Sequence, residues 1–510
     1  MKKQGIGNRE QGIGKAQGNS NSNSNSNSSG KGKGQSKGKG KGQSEGNGQS
    51  AGPRGFVAQA GGGFARKRPV SAGPTLSAGE SLAKVSPARR VAFEILLLVG
   101  QGKGHSDELL HSARTEGLSA EDRNLATALV MGVLRWEIAL DARVRLFLER
   151  PDQRLAEPVA LALRMGAFQL LHMDRIPAHA ALSESVELCR AFEQPHATGM
   201  VNAVLRKVAA AQKPGTRIFE STAAFAERLG HPKWLVERWV AAYGRETALK
   251  ICEAGQKEPE ESAMFAEGAG DVGSVGSGDL QASRIPMLDD GSRLVAEIAA
   301  AAVPDAKKIW DCCAAPGGKT LVLALREGAA EVLATDVSGK RTAQMGARLA
   351  RYGYGERVRT AVIDATALPK SAGEFDLILC DVPCSGTGTL ARNPEIRLRL
   401  EPEELERQSV RQKAILAAAL KRLAVGGRLV YSTCSLEREE NEAVVEAVVG
   451  EEFRRVPVEG LIAGLGGILR DGVELGSAVR DGALRTLPGV HGCDGFFAVV
   501  LERQGIGPRE

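Results

Sequence analysis

"KKIWDCCAAPGGKTLVLALREGAAEVLATD", residues 307–336, is the stretch whose reading decides the fold. It opens on an apolar run, "KKIWDCC", turns at a Gly-Gly pair, continues as helical text and returns to a second apolar run, "EVLATD". A short apolar run, a helix and another apolar run make a βαβ unit, because parallel strands need a crossover. The same alternation extends outward. "RTAVID", "FDLILCD", "GRLVYSTC" and "GFFAVVLER" read as further strands, with helices such as "EELERQSVRQKAILAAALKRLA" between them. The expected fold class is α/β, a doubly wound and mostly parallel sheet. Ligands of such sheets bind beyond the carboxyl ends of the strands, so chemistry is to be sought there.

The rest of the chain bounds the possibilities. Its 510 residues suffice for about three domains. A hydrophobic content of 42% with 25% charged residues is ordinary for a globular protein. There is no run of 18 or more apolar residues, so no membrane span is expected. The N-terminus has basic residues without an apolar core region, which is not the pattern of a secretory leader, and a cytoplasmic location is expected. Eight scattered cysteines in such a chain make no disulfide framework.

The net charge of +6 is unevenly placed: residues 1–80 carry +10, which leaves −4 for the remainder. The basic segment, residues 1–83, is a Gly/Ser/Asn/Lys-rich tail with too little apolar area to offset chain entropy, and disorder is expected. It either adds salt-sensitive affinity for RNA phosphates or is simply solvated. Residues 84–212 read as an all-helical domain, opening at "VSPARRVAFEILLLV" with Ser86 as the expected cap and Pro87 in the first turn. Its Arg89, Arg90, Arg123, Arg135 and Arg206 are either an RNA-facing patch or scattered surface arginines. Residues 213–284 read as a helical connector and a Gly-rich, acidic linker region. The α/β domain spans 285–503, and 504–510 is an expected disordered end.

Within the α/β domain, Gly317 and Gly318 allow the backbone to approach a ligand at a helix start. The turn is neither a G-x-G-x-x-G fingerprint nor a P-loop. Asp336 ends the second strand eighteen residues after Gly318, a spacing that suits ribose hydroxyls. Asp364 ends the third expected strand and is placed to accept from an adenine amino group; Asp381 ends the fourth. One such acid is commonly a helix cap, whereas three together point to a nucleoside cofactor. Cys384 and Cys434 follow adjacent strands and face one pocket. Free cysteines are usually small buried hydrophobes, the reading taken for Cys189, Cys252, Cys380 and Cys493. Zinc needs C-x2-C pairs or added histidines, which are lacking here. Catalysis remains: a thiolate adds to C6 of a pyrimidine, makes C5 nucleophilic toward a methyl donor, and leaves once the C5 proton is removed. Asp381 is suited to hold N3 of the ring.

"DCCAAPGGKT", "DVPCSGTGTLARNPEIR" and "YSTCSLEREEN", in that order, resemble motifs I, IV and VI of the RNA cytosine-C5 methyltransferases. "DRNLATALVMGVLR" and "MVNAVLRKV" resemble the NusB-like RNA-binding helical domain. The combination, over about 84–503, is similar to the RsmB (Sun/Fmu) type. The resemblance implies a Rossmann-like methyltransferase domain that uses S-adenosylmethionine on 16S rRNA, at the cytosine conventionally numbered 967. It implies Cys434 as nucleophile, Cys384 in product release and Asp381 as the contact to the base. Cys313, Ala314, Ala315, Pro316, Gly317, Gly318, Lys319, Asp336, Asp364 and Asp381 would line the cofactor. Cys312 matches no functional position and reads as packing. RNA is the implied partner; no metal, no membrane and a monomeric state are expected. One departure concerns the small RNA-recognition subdomain usual before motif I, here shortened, with only "MLDDGSRLVAEIA" resembling the usual pattern. That leaves two other readings open: the same chemistry on tRNA or another rRNA site, or a silent RNA-binding assembly factor. Intact thiols and acids weigh against the last.

Overall fold

The computed structural model describes residues 78–211, 220–259, 288–326, 330–465 and 472–505. Most of the expected basic tail, residues 213–219 and 260–284 of the expected connector and linker region, and residues 506–510 lie outside them.

The N-terminal part is helical, with long helices at Pro87–Gly100, Ala120–Arg145, Glu157–His172, Ala178–Ala191 and Thr198–Ala210. Apolar residues at helical spacing, among them Phe93, Ile95, Leu129, Val133, Leu163 and Leu205, are buried in one core. Ser119 caps the second of these helices, its hydroxyl accepting from the Asp122 amide at 3.1 Å. Ser86 departs from expectation. It occupies the cap position, but its hydroxyl donates to Glu184 at 2.8 Å and accepts from Arg89 at 2.9 Å, leaving the helix amides without it. Two of the five arginines also depart from expectation, because they belong neither to a patch nor to the surface. Arg89 is buried, donating to Gln169 and Glu184, and Arg135 is buried against the α/β domain.

Helices Thr222–Arg228, Lys233–Tyr243 and Arg245–Ala254 follow. They enclose a core around Phe225, Leu235 and Trp239 that also takes in Leu390, Leu436 and Leu487 of the α/β domain. The connector therefore shares a core with that domain.

Among the described residues the sheet has nine strands: β1 Lys308–Asp311, β2 Glu331–Asp336, β3 Val358–Val362, β4 Phe375–Asp381, β5 Leu423–Thr433, β6 Phe453–Val456, β7 Val479–Arg480, β8 Ala483–Arg485 and β9 Phe497–Arg503. Its order is β3-β2-β1-β4-β5-β9-β8-β7, with β6 also on β9. The first five are parallel and β9 runs antiparallel to β5. Alternate residues feed two cores: Ile309, Leu377, Leu379 and Val430 face one, while Trp310, Ile378, Leu429 and Tyr431 face the other. Burial on both faces is why these strands read as continuous apolar runs. The short β6, β7 and β8 have no such signature and were not legible. β3 ends at Val362, so Asp364 lies two residues past the strand rather than at its end. Strand order reverses between β1 and β4, which opens a crevice at their carboxyl ends.

The Ala120–Arg145 and Glu157–His172 helices pack together at Gly132, where a Cβ would sit 1.9 Å from Phe168 Cζ. Gly132→Leu is therefore expected to destabilise the protein by about 1–3 kcal/mol. Adding Phe168→Ala should recover part of that loss, measured by denaturant unfolding of the four variants of a double-mutant cycle. Strictly additive effects would show that the two positions do not collide.

Candidate functional site

A cavity of about 260 Å³ lies at the carboxyl ends of the parallel strands. Its walls include Cys313 after β1, Asp336 ending β2, Asp364 after β3, Asp381 and Cys384 at and beyond β4, and Cys434 after β5.

Pairing of β4 with β5 sets Asp381 opposite Ser432, whose hydroxyl donates to the Asp381 carboxylate at 2.7 Å. The two thiols follow within three residues on each side and meet at 3.3 Å between sulfurs. Both are free cysteines. The hydrogen bond to Cys434, reinforced by burial, pushes the Cys384 thiol well up, so Cys384 stays protonated. Behind them sits Glu440, fully buried. It accepts from the Ser385 amide at 2.8 Å, from Gln412 Nε2 at 3.0 Å and from the hydroxyls of Ser385 and Ser435. Each serine directly follows one of the thiols, so a single carboxylate fixes both turns. Gly388 closes the arrangement: its amide donates to the Cys434 carbonyl at 2.9 Å, and a Cβ there would lie 2.1 Å from the Gly495 carbonyl oxygen.

Lys319 places its ammonium 2.8 Å from the Asp381 carboxylate and over the Phe496 ring. Burial pulls that ammonium down, but the charge and hydrogen bond of Asp381 together outweigh it and the net shift is upward, so Lys319 stays charged. Lys319 thus faces Asp381; it is not among the residues that wall the cavity, and neither are Ala314, Pro316, Gly317 and Gly318 of the same turn. Cys313 and Ala315 do wall it. Gly317 has φ of +92°, a conformation that favours glycine, and a Cβ there would meet Met345 at 2.8 Å. Asp336 is buried and accepts from the Ser338 amide at 2.9 Å, with Arg341 at 3.4 Å. Backbone and hydroxyl bonds from Thr366 hold the Asp364 carboxyl below its ordinary value. Two neighbouring carboxylates beside a half-apolar cavity suit a nucleoside, whose hydroxyl and amino groups need acceptors. Among the described residues, no group of three or more His, Cys, Asp or Glu is placed to hold a metal ion.

Cys312 and Cys380 are buried between the sheet and its helices, and Cys189 and Cys252 lie in helical cores. Burial pushes the thiols of Cys189 and Cys252 up to about 11 and about 12, which keeps them protonated and unreactive. Cys493 is half-buried at a separate cavity and is likewise pushed well up by burial. Sequence reading missed Glu440, Ser385, Gln412, Arg341 and Arg411 around the site. Glu440 stands in the acidic run "EREEN", which reads as solvated surface.

The methyltransferase assignment rests on comparison as well as geometry. The model of the 16S rRNA methyltransferase RsmB/F family matches residues 299–502, and that of the NusB family matches 86–210. The probable ribosomal RNA small subunit methyltransferase B of Bacillus subtilis is 30% identical over 463 residues, covering 83% of this chain and all of the relative. The chain belongs to the ribosomal RNA small subunit methyltransferase B family. The Xanthomonas campestris member of this family is 32% identical over 460 residues, covering 84% of this chain and 99% of the relative. The crystal structure of PH0851 shares the fold, with a TM-score of 0.62 at 21% identity over 82% of this chain and 99% of that one. As in methyltransferases of this family, the cofactor is S-adenosylmethionine, and Asp336 and Asp364 on the cavity wall fit that nucleoside.

Asp311, one residue before the cysteine pair, supplies a test by pH. It is fully buried, with one oxygen bonded by Thr320 at 2.7 Å and the other unpartnered. Burial raises its carboxyl from 3.8 to about 7, an effect the Thr320 bond opposes and the Asp381 charge assists. A raised carboxyl value means stability that is complete below pH 3.8 and lost as pH rises to about 7, roughly 4 kcal/mol over that interval. Asp494, also raised to about 7 by burial, adds a similar slope. Asp311→Asn should therefore remove the Asp311 share of the pH dependence, so that unfolding free energy falls less steeply between pH 4 and 7 in the variant than in the natural chain. Parallel curves for the variant and the natural chain would rule out the raised value.

Proposed function

We propose that this rRNA methyltransferase acts on C5 of a cytosine in 16S rRNA, with cytosine 967 as the expected position, through a covalent adduct between Cys434 and C6. The observation that carries this reading is the pair of thiols 3.3 Å apart on a cavity also bounded by Asp381. Core cysteines do not require such an arrangement.

In this reading, Asp336 and Asp364 hold the ribose and adenine of S-adenosylmethionine, and Cys313 and Ala315 border it. The cofactor supplies the electrophilic methyl group. The Cys434 thiolate forms a bond to C6, and the electron pair displaced from the C5–C6 double bond moves into the ring toward N3. Asp381, held by Lys319 and Ser432, meets the developing charge at N3 through a shared proton. C5, now nucleophilic, takes the methyl group. Solvent water then takes the C5 proton, the pair of that C–H bond re-forms the C5–C6 double bond, the pair of the Cys434–C6 bond leaves on sulfur, and the proton shared at N3 returns to Asp381. Cys384, held protonated beside Cys434, returns a proton to the departing sulfur. A target within a stem must first be flipped out of its stack, and the open mouth of the cavity suits an unpaired base.

Two variants separate the thiol roles. Cys434→Ala should abolish methyl transfer to RNA while leaving S-adenosylmethionine binding within about two-fold, measured by calorimetry. Turnover near the natural rate would end the nucleophile assignment. Cys384→Ala should accumulate a denaturant-resistant protein–RNA complex, visible on a denaturing gel and dependent on Cys434; no complex would end the release assignment. Bisulfite mapping of unmethylated 16S transcript after reaction tests the target. One modified cytosine at the expected position supports the reading, whereas methylation of other RNA alone moves the substrate and keeps the chemistry.

A further inference from the structure

The segment between β4 and the Pro402–Leu420 helix carries Cys384 at its start and Arg397 near its end. Its front is fixed to the Cys434 turn: Gly388 donates to the Cys434 carbonyl at 2.9 Å, and Thr387 Oγ1 accepts from the Leu436 amide at 2.9 Å. Its back lies against the helical parts of the chain, and there the structure is unusual. Arg397 is among the largest fully buried side chains, and among the described residues it has no acidic partner. Instead its guanidinium donates to four backbone carbonyls from four places in the sequence. Nη1 reaches Arg135 at 3.2 Å and Gly230 at 3.3 Å, while Nη2 reaches Gly255 at 2.9 Å and Leu390 at 3.1 Å.

Arg135 answers from the other side. Lying on the Ala120–Arg145 helix, it is also buried and donates Nη2 to the Ala391 carbonyl at 2.9 Å. The two arginines thus cross-tie one helix of the NusB-family region to consecutive residues, Leu390 and Ala391, of the Cys384 segment. Two further contacts lie alongside. Arg399 donates to the carbonyls of Val99 and Gly104, each at 2.9 Å, and Glu395 accepts from the Ser106 amide at 3.1 Å.

Burying a cation without a counter-charge is costly, and core packing alone would be served by an apolar side chain. Burial pushes the Arg397 guanidinium down to about 9, so it remains charged at neutral pH. His231, beside it, is held neutral by burial and by that charge. A planar fork with five donors is the group that can hold four carbonyls of separate segments in one fixed geometry.

We propose that Arg397, with Arg135, is a positioning residue that uses the helical domain as a brace for the catalytic loop, keeping Cys384 in register with Cys434. This rests on the thiol chemistry proposed above. It gives the helical domain a part in turnover itself, separate from any contact it makes with RNA. A loosened brace leaves Cys434 at the end of β5, able to attack, but displaces Cys384, which assists release. Loss of Arg397 should therefore imitate loss of Cys384 in part.

The test uses the full chain carrying Arg397→Lys, Arg397→Met or Arg135→Met, with S-adenosylmethionine and 16S transcript. For variants that fold, shown by an intact unfolding transition and natural cofactor affinity, kcat should fall, by up to roughly 10²-fold, with KM for RNA little changed. The denaturant-resistant RNA complex should accumulate although Cys384 is present. Arg397→Lys, which keeps the charge but not the fork, should lie between Arg397→Met and the natural chain. Natural turnover without accumulated complex in the folded variants overturns the proposal, as does activity that falls only in step with the folded fraction. Should Arg397→Met not fold, Arg135→Met, which removes one donor and leaves Arg397, decides by the same two readouts. Failure of the underlying chemistry would look different: the natural chain would transfer no methyl group, and Cys384→Ala would trap no complex.

Discussion

One buried carboxylate organises the site. Among the described residues Glu440 has no ion-pair partner, yet it receives an amide, two serine hydroxyls and a glutamine amide. Charge-assisted hydrogen bonds of this kind contribute about 1.5–3 kcal/mol each, and together they offset the desolvation of the acid. Because Ser385 and Ser435 directly follow the two thiols, satisfying Glu440 also determines where both sulfurs lie. Tyr431 donates to the Glu440 carbonyl at 2.6 Å, and Asn441 bridges Thr433 and the Ser435 carbonyl, so the turn after β5 has little freedom. A loose pair of cysteines could drift apart or oxidise; this pair is held as neighbours by the groups that satisfy Glu440.

That local clamp depends on long-range packing. β4 and β5 are adjacent only because the crossover through the Pro402–Leu420 helix returns the chain parallel, and Gln412 of that helix reaches back to the Pro383 carbonyl and to Glu440. Opposite, Trp239 and Arg238 of the connector bind Glu437, three residues past Cys434, at 3.0 Å and 2.8 Å. The connector core also includes Leu390 and Leu436, one from each thiol-bearing segment. The helical regions and the α/β domain therefore act on the site as one packed body, which makes small displacements at their junction consequential for chemistry.

Much of this was legible without coordinates. The five parallel strands, the long helices and the placement of Asp336, Asp381, Cys384 and Cys434 near strand ends all follow from periodicity and from residue type. Three kinds of feature escaped. Short edge strands such as Val479–Arg480 carry too few residues for a period. The destination of a capping hydroxyl is set by tertiary neighbours, as at Ser86, where Glu184 and Arg89 compete successfully with the helix amides. Charged residues read as surface by default, and this default failed at Arg89, Arg135, Arg397 and Glu440, each buried because its hydrogen bonds are completed by segments distant in the chain.

By itself, then, the sequence determined the fold class, the order of the motifs and which groups are candidates for the chemistry, because apolar periodicity and glycine turns act over a few residues. Only the tertiary structure decided that the two sulfurs touch, that Lys319 serves Asp381, and that a helix more than 240 residues upstream braces the Cys384 segment. Those facts depend on distances between residues far apart in the chain, and these are set by how sheet, crossover helix and helical domain share their cores rather than by any local pattern.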